Sequence, residues 1–259
     1  MSEPVSPRTI VEALLPLSGE VPLRLVYDTA NEVGVADQTL RLALRRMIVA
    51  GEVDQRGRGR AGVIELSEGG RRRLGADRAA LRLAFAQDAG DWEWEGSWHL
   101  LAFSIPEHRR SDRDKLRREL LDAGAAPISS GLYVSPYDLT DLPVLALAEQ
   151  TVVAVTNELH VDGEREPGAL AERLWPAAPI EQRYAHVELA LRADDQRDPL
   201  LVRQIKLADA LERSMRDDPL IPQALRRQPW QPQLLRNRWR QRWDDIARLS
   251  THKIYLDWL

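Results

Sequence analysis

Residues 35–66 read V-A-D-Q-T-L-R-L-A-L-R-R-M-I-V-A-G-E-V-D-Q-R-G-R-G-R-A-G-V-I-E-L, and the fold of the N-terminal part turns on this stretch. Asp37 stands where an N-cap belongs, just ahead of an apolar-periodic run, where its oxygen would accept from free backbone N–H groups. Leu40, Leu44 and Met47 recur at i, i+4 and i+7 and share one helix face. Gln38, Arg41, Leu42, Arg45 and Arg46 fall largely on the other. Gly51 ends the helix by entering the left-handed region. Two short strands are expected next, at 52–55 and 63–66. Between them runs R-G-R-G-R-A-G (56–62), a flexible tip with three arginines. A helix with outward arginines followed by a basic hairpin is the pattern of a winged helix-turn-helix. Its helix enters the DNA major groove, and its tip reaches phosphates or the minor groove. Gln38, Thr39, Arg41, Leu42 and Arg45 are therefore expected at base edges. Arg46 either turns partly inward or meets phosphate. Arg56, Arg58 and Arg60 are expected at phosphate or in the minor groove. Gly57-x-Gly59-x-x-Gly62 also matches the dinucleotide fingerprint letter for letter. That motif needs a strand before it and a helix after it. Here a helix precedes and a β-rich run follows, so the cofactor reading is set aside.

Residues 7–15 begin with Pro7, favoured in a first helical turn, and place Ile10, Val11, Leu14 and Leu15 on one face. Residues 17–20 read as a turn. Leu23, Val26, Tyr27 and Ala30 line one side of a second helix over 23–32, and Gly34 turns the chain into the third. Helices and wing complete a module by residue 66. The whole chain has a net charge of −4, but from residue 36 to 75 nine arginines stand against five acids. An acidic protein with one basic module fits a regulator that grips DNA locally and in a salt-dependent way. Arg71–Arg73 (71–73) either extend that patch or start a solvated helix.

The length of 259 residues suits about two domains, or three small ones. With 44% hydrophobic and 29% charged residues the chain is globular rather than disordered. No apolar run approaches the ~20 residues a membrane span needs. The opening M-S-E-P-V-S-P-R lacks a secretory pattern. There is no cysteine, which removes disulfides, thiol nucleophiles and cysteine-based zinc sites and makes a cytoplasmic protein the expectation.

A linking helix is expected over 74–86. Residues 98–105 then read as a strand, 111–123 as an amphipathic helix burying Leu116, Leu120 and Leu121, and 127–136 as two short strands about Gly131. A helix over 138–149, weakened by Pro143, and a strand over 151–161 complete the order β-α-β-β-α-β of a ferredoxin-like unit. Beyond it the patterns are helical, at 168–175, 180–191, 199–215 and 233–249, punctuated by prolines. Trp175, Trp230, Trp239 and Trp243 are expected in cores or interfaces.

Taken together, the chain resembles the PaaX family of bacterial transcriptional repressors over nearly its whole length. The resemblance rests on L-R-L-A-L-R-R-M (40–47) with the glycine-rich wing, W-E-G-S-W-H-L-L-A-F-S-I-P-E (94–107), R-D-K-L-R-R-E-L (113–120), G-L-Y-V-S-P (131–136) and R-D-D-P-L-I-P-Q-A-L (216–225). It implies an α+β multidomain chain: a winged helix-turn-helix at 1–75, a linker helix at 76–90, a ferredoxin-like, Cas2-like domain at 91–166 and an all-helical domain at 167–259. It also implies a homodimeric repressor of a catabolic operon, bound to double-stranded operator DNA and released by a small-molecule effector, an aryl- or acyl-CoA such as phenylacetyl-CoA. Trp92, Trp94, Trp98, Arg203 and Arg213 are the expected ligand-binding side chains, by stacking and phosphate pairing; a packing role is the alternative for the tryptophans.

No catalytic residue, cofactor or metal ligand is expected. The five histidines (His99, His108, His160, His186 and His252) show no metal spacing, and neither a nucleophile elbow nor a Walker loop is present. Nucleases of the Cas2 fold use an aspartate near the end of the first strand, and here W-H-L-L-A-F-S-I-P holds no carboxylate before Glu107. A metal-dependent nuclease and a protein-interaction scaffold are the competing classes.

Overall fold

The computed structural model describes residues 4–251, 254 and 255; His252 lies outside them. The chain opens with α1 (Pro7–Leu14), β1 (Glu20–Pro22), α2 (Leu23–Glu32), α3 (Asp37–Val49), β2 (Val53–Arg56) and β3 (Val63–Leu66). The three strands form an antiparallel sheet in the order β1-β3-β2. Leu23, Val26 and Ala30 of α2, and Leu40, Leu44 and Met47 of α3, are buried, as their helical spacing requires. Gly51 follows α3 at φ 68°, the left-handed position that halts the helix. β1 begins at the last residue of the stretch expected to be a turn, 17–20, and runs beyond it. Its E-V-P has no pattern of its own and is a strand because Val21 pairs with Ile64. Asp37 is not an N-cap: α3 begins at Asp37, Ala36 takes the cap position, and no side chain caps the helix.

α4 (Glu68–Ala89) is longer than the linker expected at 74–86. Then come β4 (Trp98–Ser104), α5 (Arg110–Asp122), β5 (Ala126–Ser129), β6 (Leu132–Ser135) and β7 (Gln150–Thr156). They build a second antiparallel sheet, ordered β5-β6-β4-β7, the strand order of a ferredoxin-like unit. The second helix of that unit is a 3-10 turn, Pro143–Leu147, rather than a helix over 138–149. Pro143 starts this short turn and leaves no room for a full one before β7. Leu121 is also a correction: it is 49% exposed, while Leu116 and Leu120 are fully buried. The last strand stops at Thr156, short of the expected 161.

The remaining elements are helices: α6 (Pro167–Leu174), α7 (Ala177–Arg183), α8 (Ala185–Ala193), α9 (Leu200–Met215) and α10 (Gln231–Leu249). The helix expected at 180–191 is broken at Tyr184, so that α7 and α8 are separate.

These elements divide into two compact units that do not follow chain order. One holds the residues up to Phe85, Arg183–Met215 and the residues from Pro232 on; the other holds Ala86–Gln182 and Arg216–Gln231. The helical tail is thus shared between them. In the first unit α1 packs on α3 and α9. Thr9 on α1 donates to Asp209 at 3.2 Å and to Glu212 at 2.6 Å, and the Ser6 N–H donates to Asp209 at 2.8 Å. Trp239 and Trp243 stack at 5.0 Å between Phe85 and Tyr255. In the second unit α5 covers the sheet over a core of Leu101, Leu116, Leu120, Ala125, Tyr133, Leu139 and Val144. Trp175 stacks on Trp98 and donates to the Gly124 carbonyl at 3.1 Å. Arg226, sealed in this unit, donates to the Ile221 carbonyl, Gln87 and Asp88.

Candidate nucleic-acid interface

α3 turns Leu40, Leu44 and Met47 inward, and the same 3.6-residue period turns a largely polar row outward. Gln38, Thr39, Arg41, Leu42, Arg45 and Arg46 are all exposed. Gln38, Arg41, Leu42 and Arg45 stand at i, i+3, i+4 and i+7, a single stripe along a helix roughly 20 Å long. Among the described residues no ion pair or side-chain hydrogen bond engages Arg41, Arg45 or Arg46. Their guanidiniums, with five N–H donors each, face solvent. Arg46 is not turned inward. Leu42 is 49% exposed and sets an apolar patch between the two arginines of the stripe.

The hairpin is different. Its tip is not a loose loop: Gly59–Ala61 forms a 3-10 turn, and the Leu23 N–H donates to the Gly62 carbonyl at 2.9 Å. The glycines are there for closeness and curvature. Gly57 sits at φ 78°, and a Cβ on Gly62 would lie 2.8 Å from the Arg56 carbonyl oxygen and 3.1 Å from Leu23. That accounts for the glycine spacing without any cofactor. Arg60 lies back over α2 and the start of α3. It donates to Asp28, reaches Asp37 at 3.3 Å, and its guanidinium carbon is 5.3 Å from the centre of the Tyr27 ring. Arg56 donates to Glu20 and approaches Glu65 at 3.9 Å. Arg58 alone of the three is exposed with no partner among the described residues. Asp28, Glu20 and Glu65 carry no signal in the sequence, and Asp37 is expected there only as an N-cap. Only Glu65 stands near the hairpin in sequence; Glu20, Asp28 and Asp37 lie 36, 32 and 23 residues before the arginine each one meets, so spacing gives no signal.

The arginines after the hairpin hold the module together. Arg71 donates to the Leu66 carbonyl at 2.6 Å. Arg73 binds Glu12 and, at 2.7 Å, Asp77, while Arg8 bridges Glu12 and Glu52 at 2.6 and 2.7 Å. Beneath this cluster Glu212 accepts from Thr9 and from the Tyr255 hydroxyl. Burial, helped by the nearby Glu12 and Asp209 carboxylates, pushes the Glu212 carboxyl up to about 7.

The side chains expected to bind a ligand all have internal partners. Trp92 meets Tyr137 at 5.6 Å, Trp94 meets Trp98 edge-on at 5.0 Å, and Trp98 is fully buried. The Trp94 indole N–H donates to the Ser97 carbonyl at 2.9 Å. Arg203 makes a paired contact with Asp194 at 2.7 and 2.8 Å, which, with Arg242, holds that carboxyl below the ordinary range. Arg213 donates to Asp209 and to the Pro4 carbonyl, each at 2.7 Å. The tryptophans belong to the second unit and the two arginines to the first.

Glu107, the first carboxylate after β4, is paired with Arg113 at 2.7 Å. Among the described residues no three His, Asp or Glu side chains are grouped to hold a metal ion. None of their helices is long and apolar enough to cross a membrane.

Residues 91–166 match the family model of the PaaX protein central Cas2-like domain. No curated protein matches the chain. Among solved structures, the uncharacterized protein Rv0674 from Mycobacterium tuberculosis is similar, with 22% identity and a TM-score of 0.58, over 95% of this chain and 97% of that one. At that identity the likeness is one of fold. Residues 91–166 thus form a PaaX-type central Cas2-like domain.

Proposed function

We propose that α1 to β3 form a winged helix-turn-helix that binds double-stranded DNA, with α3 as recognition helix and the β2–β3 hairpin as wing. The chain is then a transcriptional repressor, acting as a homodimer that meets half-sites ~34–36 Å apart. The observation that carries this reading is the pair of unengaged guanidiniums, Arg41 and Arg45, one turn apart on the outer stripe of α3. Arginine to guanine is the commonest specific contact in the major groove, and an exposed leucine between them suits a thymine methyl. The order of elements, with two helices joined at Gly34 and a hairpin after the second, supports the same assignment. A mobility-shift titration at fixed salt, with duplex DNA from upstream of the protein's own gene, tests it. Saturable binding that survives excess unrelated duplex is the expected outcome; binding no tighter than to unrelated duplex removes the reading.

The PaaX-like central domain directs the choice of effector to an acyl-CoA, with phenylacetyl-CoA the first probe. An effector releases DNA only if its affinity differs between the competent and incompetent states. Addition of phenylacetyl-CoA to the preformed complex is expected to free the duplex. Retention of the complex at saturating ligand would exclude that compound.

A further inference from the structure

α1 stands between the arginine-bearing helix and the tail, packed on α3 and on α9 within one compact unit. Its contact with the tail is built on hydrogen bonds that converge on two acids of α9. Asp209 and Glu212 stand at i and i+3 and so share a face of that helix. The Ser6 N–H donates to Asp209 at the start of α1. Thr9 Oγ1 lies 2.6 Å from Glu212 and 3.2 Å from Asp209. Toward the other end the Tyr255 N–H donates to the Ala13 carbonyl at 2.9 Å, and the Tyr255 hydroxyl donates to Glu212. The two acids differ in their company. Asp209 has Arg213 at 2.7 Å, whereas among the described residues Glu212 has only the two hydroxyls. A threonine hydroxyl carries one hydrogen, and here two carboxyl groups reach for it. Thr9 and Asp209 are buried, so water does not supply a second.

We propose that Thr9, Asp209, Glu212 and Tyr255 form a proton-operated latch between α1 and the tail, closed while Glu212 is protonated and loosened when it ionises. With a proton on its Oε2, Glu212 donates to Thr9, and Thr9 turns its own hydrogen to Asp209. Every oxygen of the joint is then served. When that proton leaves for solvent, two carboxylates compete for one hydrogen, with the Glu12 carboxyl of α1 adding its repulsion. The cations around the joint are engaged elsewhere. Arg213 holds Asp209 and the Pro4 carbonyl, Arg8 holds Glu12 and Glu52, and Arg73 holds Glu12 and Asp77. Burial and the neighbouring Glu212 push the Tyr255 hydroxyl well above its ordinary value, so it remains a donor in both states. Because Glu212 titrates at about 7, the latch changes state near neutral pH. α1 also packs on α3, so the joint governs how firmly the arginine-bearing helix is tied to the tail.

The latch does not rest on DNA binding and is tested without DNA. Backbone hydrogen exchange of the full-length protein is followed on both sides of pH 7, with the intrinsic pH dependence of exchange divided out. Protection of α1 is expected to fall as pH rises through about 7, and to fall further than that of α8 in the same unit. Glu212→Gln, neutral at every pH, is expected to abolish the fall. Two further variants shift its midpoint in opposite directions. Tyr255→Phe removes a hydrogen bond that favours the charged carboxyl and moves the midpoint up; Glu12→Gln removes a neighbouring negative charge and moves it down. Should Glu212→Gln fail to fold, the opposed shifts still decide. Level protection of α1 across this range overturns the latch, as does a fall that Glu212→Gln leaves in place. A fall no larger in α1 than in α8 is a loss of general stability and overturns it too, as do midpoints that fail to move apart.

Discussion

Arg41 and Arg45 on α3, and Arg56 and Arg60 on the β2–β3 hairpin, are the same side chain in opposite circumstances. The first pair has no partner among the described residues. Arg56 is held by Glu20, and Arg60 by Asp28 and Asp37. A count of basic residues treats all four alike, yet only the α3 pair is free to meet a ligand without first giving up a bond. The wing pair serves another end. Arg60 ties the hairpin to α2 and the head of α3, and covers two carboxylates that would otherwise face phosphate.

The largest expected effect tests the free side of that contrast. Arg41→Ala and Arg45→Ala should each cost ~1–3 kcal/mol in operator binding if bidentate to a base, which is roughly fivefold to more than a hundredfold. Preference among operator variants should relax at the matching position. Titration against a panel of single-base variants checks this, and an unaltered ranking would take α3 out of direct readout.

A smaller loss is expected on the clasped side. Arg60→Ala leaves Asp37 uncompensated, and Asp28 with only Arg24 at 3.6 Å, beside the helix that enters the groove, so binding to every sequence should fall. Adding Asp28→Asn and Asp37→Asn to that variant should restore much of the affinity, because the repulsion goes with the charges. If no affinity returns, Arg60 is itself a phosphate ligand and the contrast between the two pairs breaks down.

Arg58 sharpens the comparison from within the wing, being exposed and without a partner among the described residues. Arg58→Ala should weaken all duplexes alike and lower the slope of log affinity against log salt by about 1. An unchanged slope would leave the wing without a phosphate contact at that position.

The smallest effect concerns pH, where arginines do not titrate but the base of the module does. Folding raises the Glu212 carboxyl from 4.5 to about 7. The folded state therefore holds that proton more tightly than the unfolded one. The resulting stability is complete below pH 4.5 and is lost as pH rises through about 7. The melting temperature should drop across this window, and Glu212→Gln should flatten the drop. The same slope in both proteins would assign the pH dependence to other groups.

How far these features were legible follows from how local they are. The bounds of α2, the buried face Leu40–Leu44–Met47 and the outward stripe of α3 all follow from one helical period, which neighbours in sequence carry by themselves. β1 was illegible because three residues without alternation become a strand only through β3. Asp37 looks like a cap by position, but Ala36 takes the cap and the Asp37 carboxylate is turned to Arg60, 23 residues along the chain. Leu121 fits the apolar pattern of α5 as well as Leu120 does, yet only a neighbour across the sheet decides which one is covered. Trp92, Trp94, Trp98, Arg203 and Arg213 carry suitable chemistry for a ligand; Asp209 stands one turn from Arg213 and Trp94 close to Trp98, but Tyr137 against Trp92 and Trp175 against Trp98 lie too far along the chain for spacing to reveal.

Residue order alone was enough to specify that a basic helix and hairpin stand near the N-terminus, that a β-α-β-β pattern follows, and that a helical tail ends the chain. Periodicity is a property of neighbouring residues and needs no coordinates. Which arginines are spent on carboxylates, how the tail divides between two compact units, and which hydroxyl two acids of α9 share emerged only when the chain was folded. Those are pairings between distant residues, and the free energy of a charge depends on what stands opposite it.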